Sequence, residues 1–144
     1  MNQSFNIGID IVNVSRFKKK PVNNNQNFYK KIFSNAEINY CKKFSSPYEH
    51  FAGKFAIKEA LIKSINEKIS LHEIKTSHKN SKPIVKIKNL LDRKYRFIIS
   101  MSHKKDIAVA VVISKKSNNF LFYLIYLKLN FCFFNESNLF NHFR

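Results

Sequence analysis

Between residues 5 and 12 the chain alternates, with Phe5, Ile7, Ile9 and Ile11 on one side and Asn6, Gly8, Asp10 and Val12 on the other. A period of two predicts a β-strand, with Asp10 facing away from the isoleucine side. Ser15 then stands where it can cap a short basic helix, SRFKKK, that stops at Pro21, and VNNNQN reads as a polar loop. Within Phe28 to Phe44, Ser34 and Glu37 have capping-box spacing and predict a helix through Cys41. A longer helix starts near Pro47 and runs to about Glu67. Short strands flank HKNSKP, where Val85 and Ile87 alternate with Lys86 and Lys88. Phe97, Ile99 and Met101 alternate with Ile98, Ser100 and Ser102 up to a turn at HKKD. The apolar run 107–113 then predicts a central buried strand. The order of elements predicts an α+β domain over residues 1–114, with a largely antiparallel sheet packed against the long central helix.

The long helix has a fault in its apolar stripe. At 100° per residue Glu59 falls between Phe55 and Ala52, near Tyr48 and Ile62. An unpaired carboxylate buried there costs several kcal/mol, on the order of other polar-burial penalties, so it needs compensation or a place at the edge of a cleft. One compensation is an i,i+4 pair with Lys63, worth about 0.3–0.5 kcal/mol on a helix surface. The other involves Asp10, which stands beside Gly8 on the polar side of the first strand. Two carboxylates, one from a strand and one from a helix, can hold a magnesium ion that also takes phosphate oxygens and water. Asp10 as a solvated strand residue is the competing reading. The segment SMSH, residues 100–103, adds hydroxyls and an imidazole at a strand end, without the spacing of a catalytic triad. Neither a G-x-x-x-x-G-K-[ST] loop nor a G-x-G-x-x-G turn is present.

Composition sharpens the search for a partner. The 144 residues carry 26 Lys and Arg against 9 Asp and Glu, a formal charge of +17. Anionic partners are expected, whether nucleic acid, membrane surface, acidic protein or a phosphorylated small molecule. Abundant Lys, Asn, Ile, Phe and Tyr also match a coding bias toward A and T, so some of this charge needs no partner. Residues 115–144 form a hydrophobic appendage of unknown role, with most of its aromatics between Phe120 and Phe134. That run is shorter than the roughly 20 apolar residues of a transmembrane span and is interrupted by Lys128 and Asn130. Without the appendage the chain keeps 22 basic and 8 acidic residues, so the charge belongs to the domain. Cys41 and Cys132 form no metal-type pair or disulfide framework, and the first residues do not read as a signal peptide. A cytoplasmic protein is expected.

Several segments together resemble the holo-acyl-carrier-protein synthases, the short phosphopantetheinyl transferases of fatty-acid synthesis. They are GIDIVNVSRF, IFSNAEINYC, FAGKFAIKEALIKSI, NSKPIVKI and ISMSHKKDIAVAVVI, in the family's order over roughly residues 5–114. The resemblance implies the 4'-phosphopantetheinyl transferase fold. It also implies magnesium-dependent transfer of 4'-phosphopantetheine from coenzyme A to a serine of apo acyl carrier protein. Asp10 and Glu59 become the magnesium ligands, Glu59 or a metal-bound water the candidate base, and Lys63 the group that stabilises or protonates the leaving phosphate. His103, Lys54 and Lys82 become coenzyme A contacts. Arg16, with Lys18, Lys19 and Lys20, becomes the surface for the acidic carrier. A homotrimer with sites between subunits is also implied. The chain carries Ile9 and Asn13 where the family usually has Thr and Glu, Lys54 for Arg, and Ser81 for Gly. The rival from another class is a basic, non-enzymatic nucleic-acid-binding module; a membrane-associated adaptor using Phe120 to Phe134 is a third.

Overall fold

A computed structural model describes residues 5–88 and 91–117; most of the appendage, with Cys132 and the run from Phe120 to Phe134, lies outside the described residues. Strand β1 (Phe5–Asn13) leads into the short helix α1 (Ser15–Lys18). Helices α2 (Gln26–Ile32), α3 (Asn35–Cys41) and α4 (Pro47–Ser64) follow. A 3-10 turn (Leu71–Glu73) opens the hairpin β2 (Ile74–Lys79) and β3 (Lys82–Ile87). After α5 (Leu91–Lys94), strands β4 (Tyr95–Lys104) and β5 (Ile107–Lys116) complete the order. The sheet expected as one is two: a three-stranded sheet β1-β5-β4 and the separate pair β2-β3, all antiparallel. Strand β5 is central, as its unbroken apolar run predicts.

Local signals explain most boundaries. The capping box forms as expected, with Ser34 Oγ accepting from Glu37 N–H and the Glu37 carboxylate accepting from Ser34 N–H. Ser15 does not cap α1; the N-cap is Val14, wholly buried, and no side-chain cap is made. VNNNQN is a loop only in part, because α2 begins at Gln26. Helix α4 stops at Ser64 and not near Glu67, since Ile65 turns to extended backbone. Glu67 instead accepts hydrogen bonds from Lys94 and Tyr95. The β2-β3 turn is Asn80-Ser81, both at positive φ (50° and 63°), as a two-residue hairpin requires.

Helix α4 is the centre of the molecule. Every residue from Phe51 to Lys58 is buried, so it presents no single apolar stripe. One side lies across β1 and β5, and another meets α1 and α3. Phe17, Tyr29, Phe33, Phe51 and Phe55 form an aromatic core, with the Tyr29 and Phe51 rings edge to face at 4.6 Å. Such all-round burial encloses Lys58 completely. Its ammonium donates to Ile32 O at 2.6 Å, Glu37 Oε2 at 3.1 Å and Leu71 O at 3.1 Å. The other Glu37 oxygen accepts from Thr76 N and Oγ1. Burial raises the Glu37 carboxyl, but Lys58, Thr76 and Ser34 together hold it below its usual range. Burial also pushes the Lys58 ammonium down, opposed by Glu37.

As expected, Asp10 of β1 faces away from the isoleucines, and the isoleucine side is the one left outward. The polar-looking side of β1, Asn6, Gly8, Asp10 and Val12, packs inward on α4, whereas Ile7 and Ile11 are 67% and 66% exposed. Gly8 makes this possible: a Cβ there would overlap Ala60 O and lie 2.9 Å from Ser64 N.

Gly8→Ala is expected to lift β1 from α4 and cost about 1–3 kcal/mol or more, read as a lower midpoint in urea unfolding. Glu37→Gln leaves a buried ammonium without its counter-charge and is expected to cost about 3–5 kcal/mol in the same assay. The depressed Glu37 carboxyl stabilises the fold above the unfolded carboxyl range, and this contribution is lost as pH falls through the folded value. Stability should therefore fall on acidification, and less steeply in Glu37→Gln.

Candidate active site

The tertiary fold brings Asp10 and Glu59 to one cleft of about 380 Å³, lined also by Ile11, Val12, Asn13, Arg16 and Phe55. Asp10 comes from the inward side of β1, opposite Ala110 of β5, and its side chain is only 14% exposed. It is not the solvated strand residue of the competing reading. Glu59 reaches the cleft from α4, next to the Phe55 ring that the Arg16 guanidinium covers at 4.4 Å. The carboxylate that breaks the helical stripe thus stands at a cleft edge and is half-buried.

Lys63 does not form the expected helix pair with Glu59. Its ammonium crosses to β1, donating to Asp10 Oδ1 at 2.8 Å and Ile9 O at 3.1 Å. The Asp10 hydrogen bond holds this ammonium above the usual lysine range. Asp10 and Glu59 offer hard oxygen donors, with no His or Cys lining the same cleft. No cluster of three metal-type side chains occurs among the described residues. A donor set of two carboxylates suits magnesium, which keeps waters and takes substrate phosphate oxygens. It does not suit zinc, which wants nitrogen or sulfur and a fuller protein shell.

The other expected contacts fall elsewhere. His103, on β4, lies against the first turns of α4: Nδ1 is 3.4 Å from Glu49 Oε2, and the His50 ring meets it edge-on at 5.2 Å. Burial and neighbouring His103 push the His50 imidazole down. Lys54 is buried and its ammonium is held by Thr76 O and Oγ1, over the Tyr40 ring. It borders a second cavity of about 440 Å³ whose wall includes Tyr40, Lys75, His78 and Lys86. Lys82 is exposed at the hairpin end, opposite Lys79. Arg16, Lys18, Lys19 and Lys20 are exposed on and just after α1. Lys18 stands 3.9 Å from Asp106, and Lys20 lies over the Phe28 ring at 4.5 Å.

Sequence reasoning missed Lys58 and Glu49. A lysine in an apolar helix reads as a solvated charge, and nothing local shows that the helix is enclosed on all sides. Glu37 was found as a cap, but its contacts with Lys58 and Thr76 span 21 and 39 residues. Only the folded chain brings them together.

Comparison with known proteins is consistent along the whole domain. Residues 6–112 match the sequence profile of the 4'-phosphopantetheinyl transferase superfamily. The holo-[acyl-carrier-protein] synthase of Thermodesulfovibrio yellowstonii is 36% identical over 110 residues, covering 74% of this chain and 95% of that protein. The enzyme of the same name from Mycoplasma mycoides is 34% identical over 115 residues, covering 78% and 96%. Among solved structures, the holo-(acyl-carrier-protein) synthase of Bacillus anthracis in complex with CoA (3',5'-ADP) superposes with a TM-score of 0.66 at 30% identity, over 78% of this chain and 96% of that one. The Helicobacter pylori synthase in complex with coenzyme A gives 0.63 at 31% identity, over 75% and 98%. With the fold and the match over residues 6–112 in agreement, the chain belongs to the 4'-phosphopantetheinyl transferase superfamily.

Proposed function

We propose that this chain is a holo-acyl-carrier-protein synthase, transferring 4'-phosphopantetheine from coenzyme A to a serine of apo acyl carrier protein and releasing adenosine 3',5'-bisphosphate, in fatty-acid biosynthesis. The observation that carries the reading is the convergence of Asp10 and Glu59, from separate elements, on one cleft beside Lys63 in a chain of this family. The nucleic-acid-binding alternative is not favoured, because it gives these two carboxylates no task.

Asp10 and Glu59 are assigned as the magnesium ligands. Bound there, magnesium would neutralise charge on the coenzyme A pyrophosphate and align it for in-line attack. Lys63, anchored on Asp10, carries the ammonium that stabilises or protonates the leaving phosphate. Glu59, the half-buried carboxylate at the cleft edge, or a metal-bound water is the candidate to accept the serine proton. His103, Lys54 and Lys82 are assigned to coenzyme A. For Lys54 this means acting from the cavity wall while its ammonium stays on Thr76.

Arg16, Lys18, Lys19 and Lys20 are assigned to the acidic carrier. Their exposure on one short helix and the turn after it supports a salt-sensitive, electrostatically steered encounter. The outward face of the three-stranded sheet supports a homotrimer. Phe5, Ile7, Ile9, Ile11, Ile98 and Ile107 are all exposed on it, an apolar face of the kind that marks interaction sites. Its proximity in sequence to Asp10 supports sites at the subunit boundary. No helix among the described residues is long and apolar enough to cross a membrane. A cytoplasmic location fits the free, buried Cys41 and the two proposed substrates. The transferase is assigned to residues 1–114 and an appendage of unknown role to 115–144, since the family match ends at residue 112.

Intact mass of apo acyl carrier protein, after incubation with this protein, coenzyme A and magnesium, tests the activity. A gain of one phosphopantetheine is expected, lost with chelator and reduced at least about a hundredfold in rate in Asp10→Ala or Glu59→Ala. No gain from folded protein would overturn the reading. For the assembly, light scattering is expected to give a trimer that Ile7→Glu reduces to monomers; a monomeric wild-type mass would rule the trimer out.

A further inference from the structure

His103 holds the one buried side-chain nitrogen or oxygen among the described residues that lacks a hydrogen bond: its Nδ1. Buried polar atoms are almost always paired, so this one asks for an explanation. Its surroundings supply one. Glu49 Oε2 stands 3.4 Å away, within ion-pair reach though long and misaligned for a hydrogen bond. The Nδ1 atom itself is buried, although the two side chains are 27% and 22% exposed.

Three positions of α4 cradle the ring. Glu49 faces Nδ1, and His50 packs edge-on at 5.2 Å, itself stacked on Phe44 at 3.7 Å. Gly53, one turn on, leaves the space beside Cδ2: a Cβ there would lie 3.9 Å from that atom and 3.1 Å from Met101 Sδ. From β5, the residue opposite His103 is Ala108, which offers no polar group from its side chain. With these sides taken, the nitrogen left for a ligand is Nε2. Glu49 belongs to the first turn of α4, where a carboxylate is favoured by the helix dipole, so it is a fitting fixed acceptor.

We infer that Glu49 is a positioning residue: it accepts Nδ1–H of His103 and so fixes the ring orientation and tautomer that present Nε2 to coenzyme A. The inference rests on the proposed contact between His103 and coenzyme A. A small rotation of either side chain closes the 3.4 Å gap, and hydrogen bonds of this kind commonly tighten only when substrate is bound. A neutral histidine whose Nδ1–H is committed offers Nε2 as an acceptor to a hydroxyl; the charged ring offers it as a donor to a phosphate. In both states Glu49 holds the same nitrogen inward.

The test uses full-length protein with ¹⁵N-labelled histidine, read by NMR, alongside coenzyme A binding by calorimetry and steady-state kinetics. Wild type is expected to show a single Nδ1–H tautomer for His103; an Nε2–H tautomer would overturn the inference whatever any variant does. Glu49→Gln is expected to mix the tautomers and to raise Kd and KM for coenzyme A about 2- to 10-fold with kcat nearly unchanged. Glu49→Asp, which keeps the carboxylate, should restore much of the tautomer and affinity. Combined with His103→Ala, Glu49→Gln should add no further loss, as coupled groups do. If His103→Ala weakens binding but Glu49→Gln alters neither tautomer nor affinity, the role of Glu49 is refuted and the coenzyme A contact stands. If His103→Ala binds coenzyme A like wild type, the contact itself fails and the inference falls with it.

Discussion

Strand β1 lies so close to α4 that a methyl group on Gly8 would collide with the helix backbone at Ala60. From that single close approach follows the arrangement of the chemistry. With Gly8 seated on the helix, Asp10, two residues on and therefore on the same strand face, is also directed inward. Antiparallel pairing with β5 along the whole of β1 prevents a one-residue slip, which would send Asp10 outward. Glu59 precedes Ala60 on the helix, so the contact that positions the aspartate positions the glutamate as well. Lys63, one turn further along, then reaches back over the strand to Asp10.

Burial of every residue of α4 from Phe51 to Lys58 has a cost that the fold meets with polar chemistry. Lys58 carries a charge into a place with no solvent, and its ammonium is supplied with three oxygens from three parts of the chain. Because Glu37 also caps α3 and binds Thr76 of β2, one carboxylate ties the helical layer to the small hairpin. Pairs of this kind seldom add much net stability over apolar packing, but they punish any arrangement that leaves one partner alone. Lys54, one turn earlier, repeats the device more weakly with Thr76 and the Tyr40 ring. The walls of the second cavity are therefore held by the same network that seats the helix.

Some capping and turn signals were legible because they are local, although the cap expected from Ser15 does not form. Ser34 with Glu37, Pro47 at the start of α4, and a connection within HKNSKP depend on neighbours within a few positions, though the turn itself narrows to Asn80-Ser81. The central place of β5 was legible from its unbroken apolar run. Legibility failed for the orientation of β1, where the hydrophobic pattern points the wrong way. Ile7, Ile9 and Ile11 should by transfer energy be inside, yet the glycine and the aspartate are. Within one chain that ordering is unfavourable by transfer energy, and the close approach of Gly8 to the helix backbone at Ala60 is what holds it.

Alternation, capping and composition by themselves determined the strands, three of the helices, the basic character of the domain and the oddity of a carboxylate at position 59. Family motifs read from the same letters added which residues to watch. What only the tertiary structure decided was which side chains meet: Lys63 with Asp10 and not Glu59, Lys58 with Glu37, and His103 beside Glu49. The physical reason is range. Backbone preference and hydrophobic periodicity act over a few residues and are written along the chain, whereas a buried charge is satisfied by any group the fold can bring within about 3 Å. Here those partners lie 21 to 54 residues away, a separation no local pattern records.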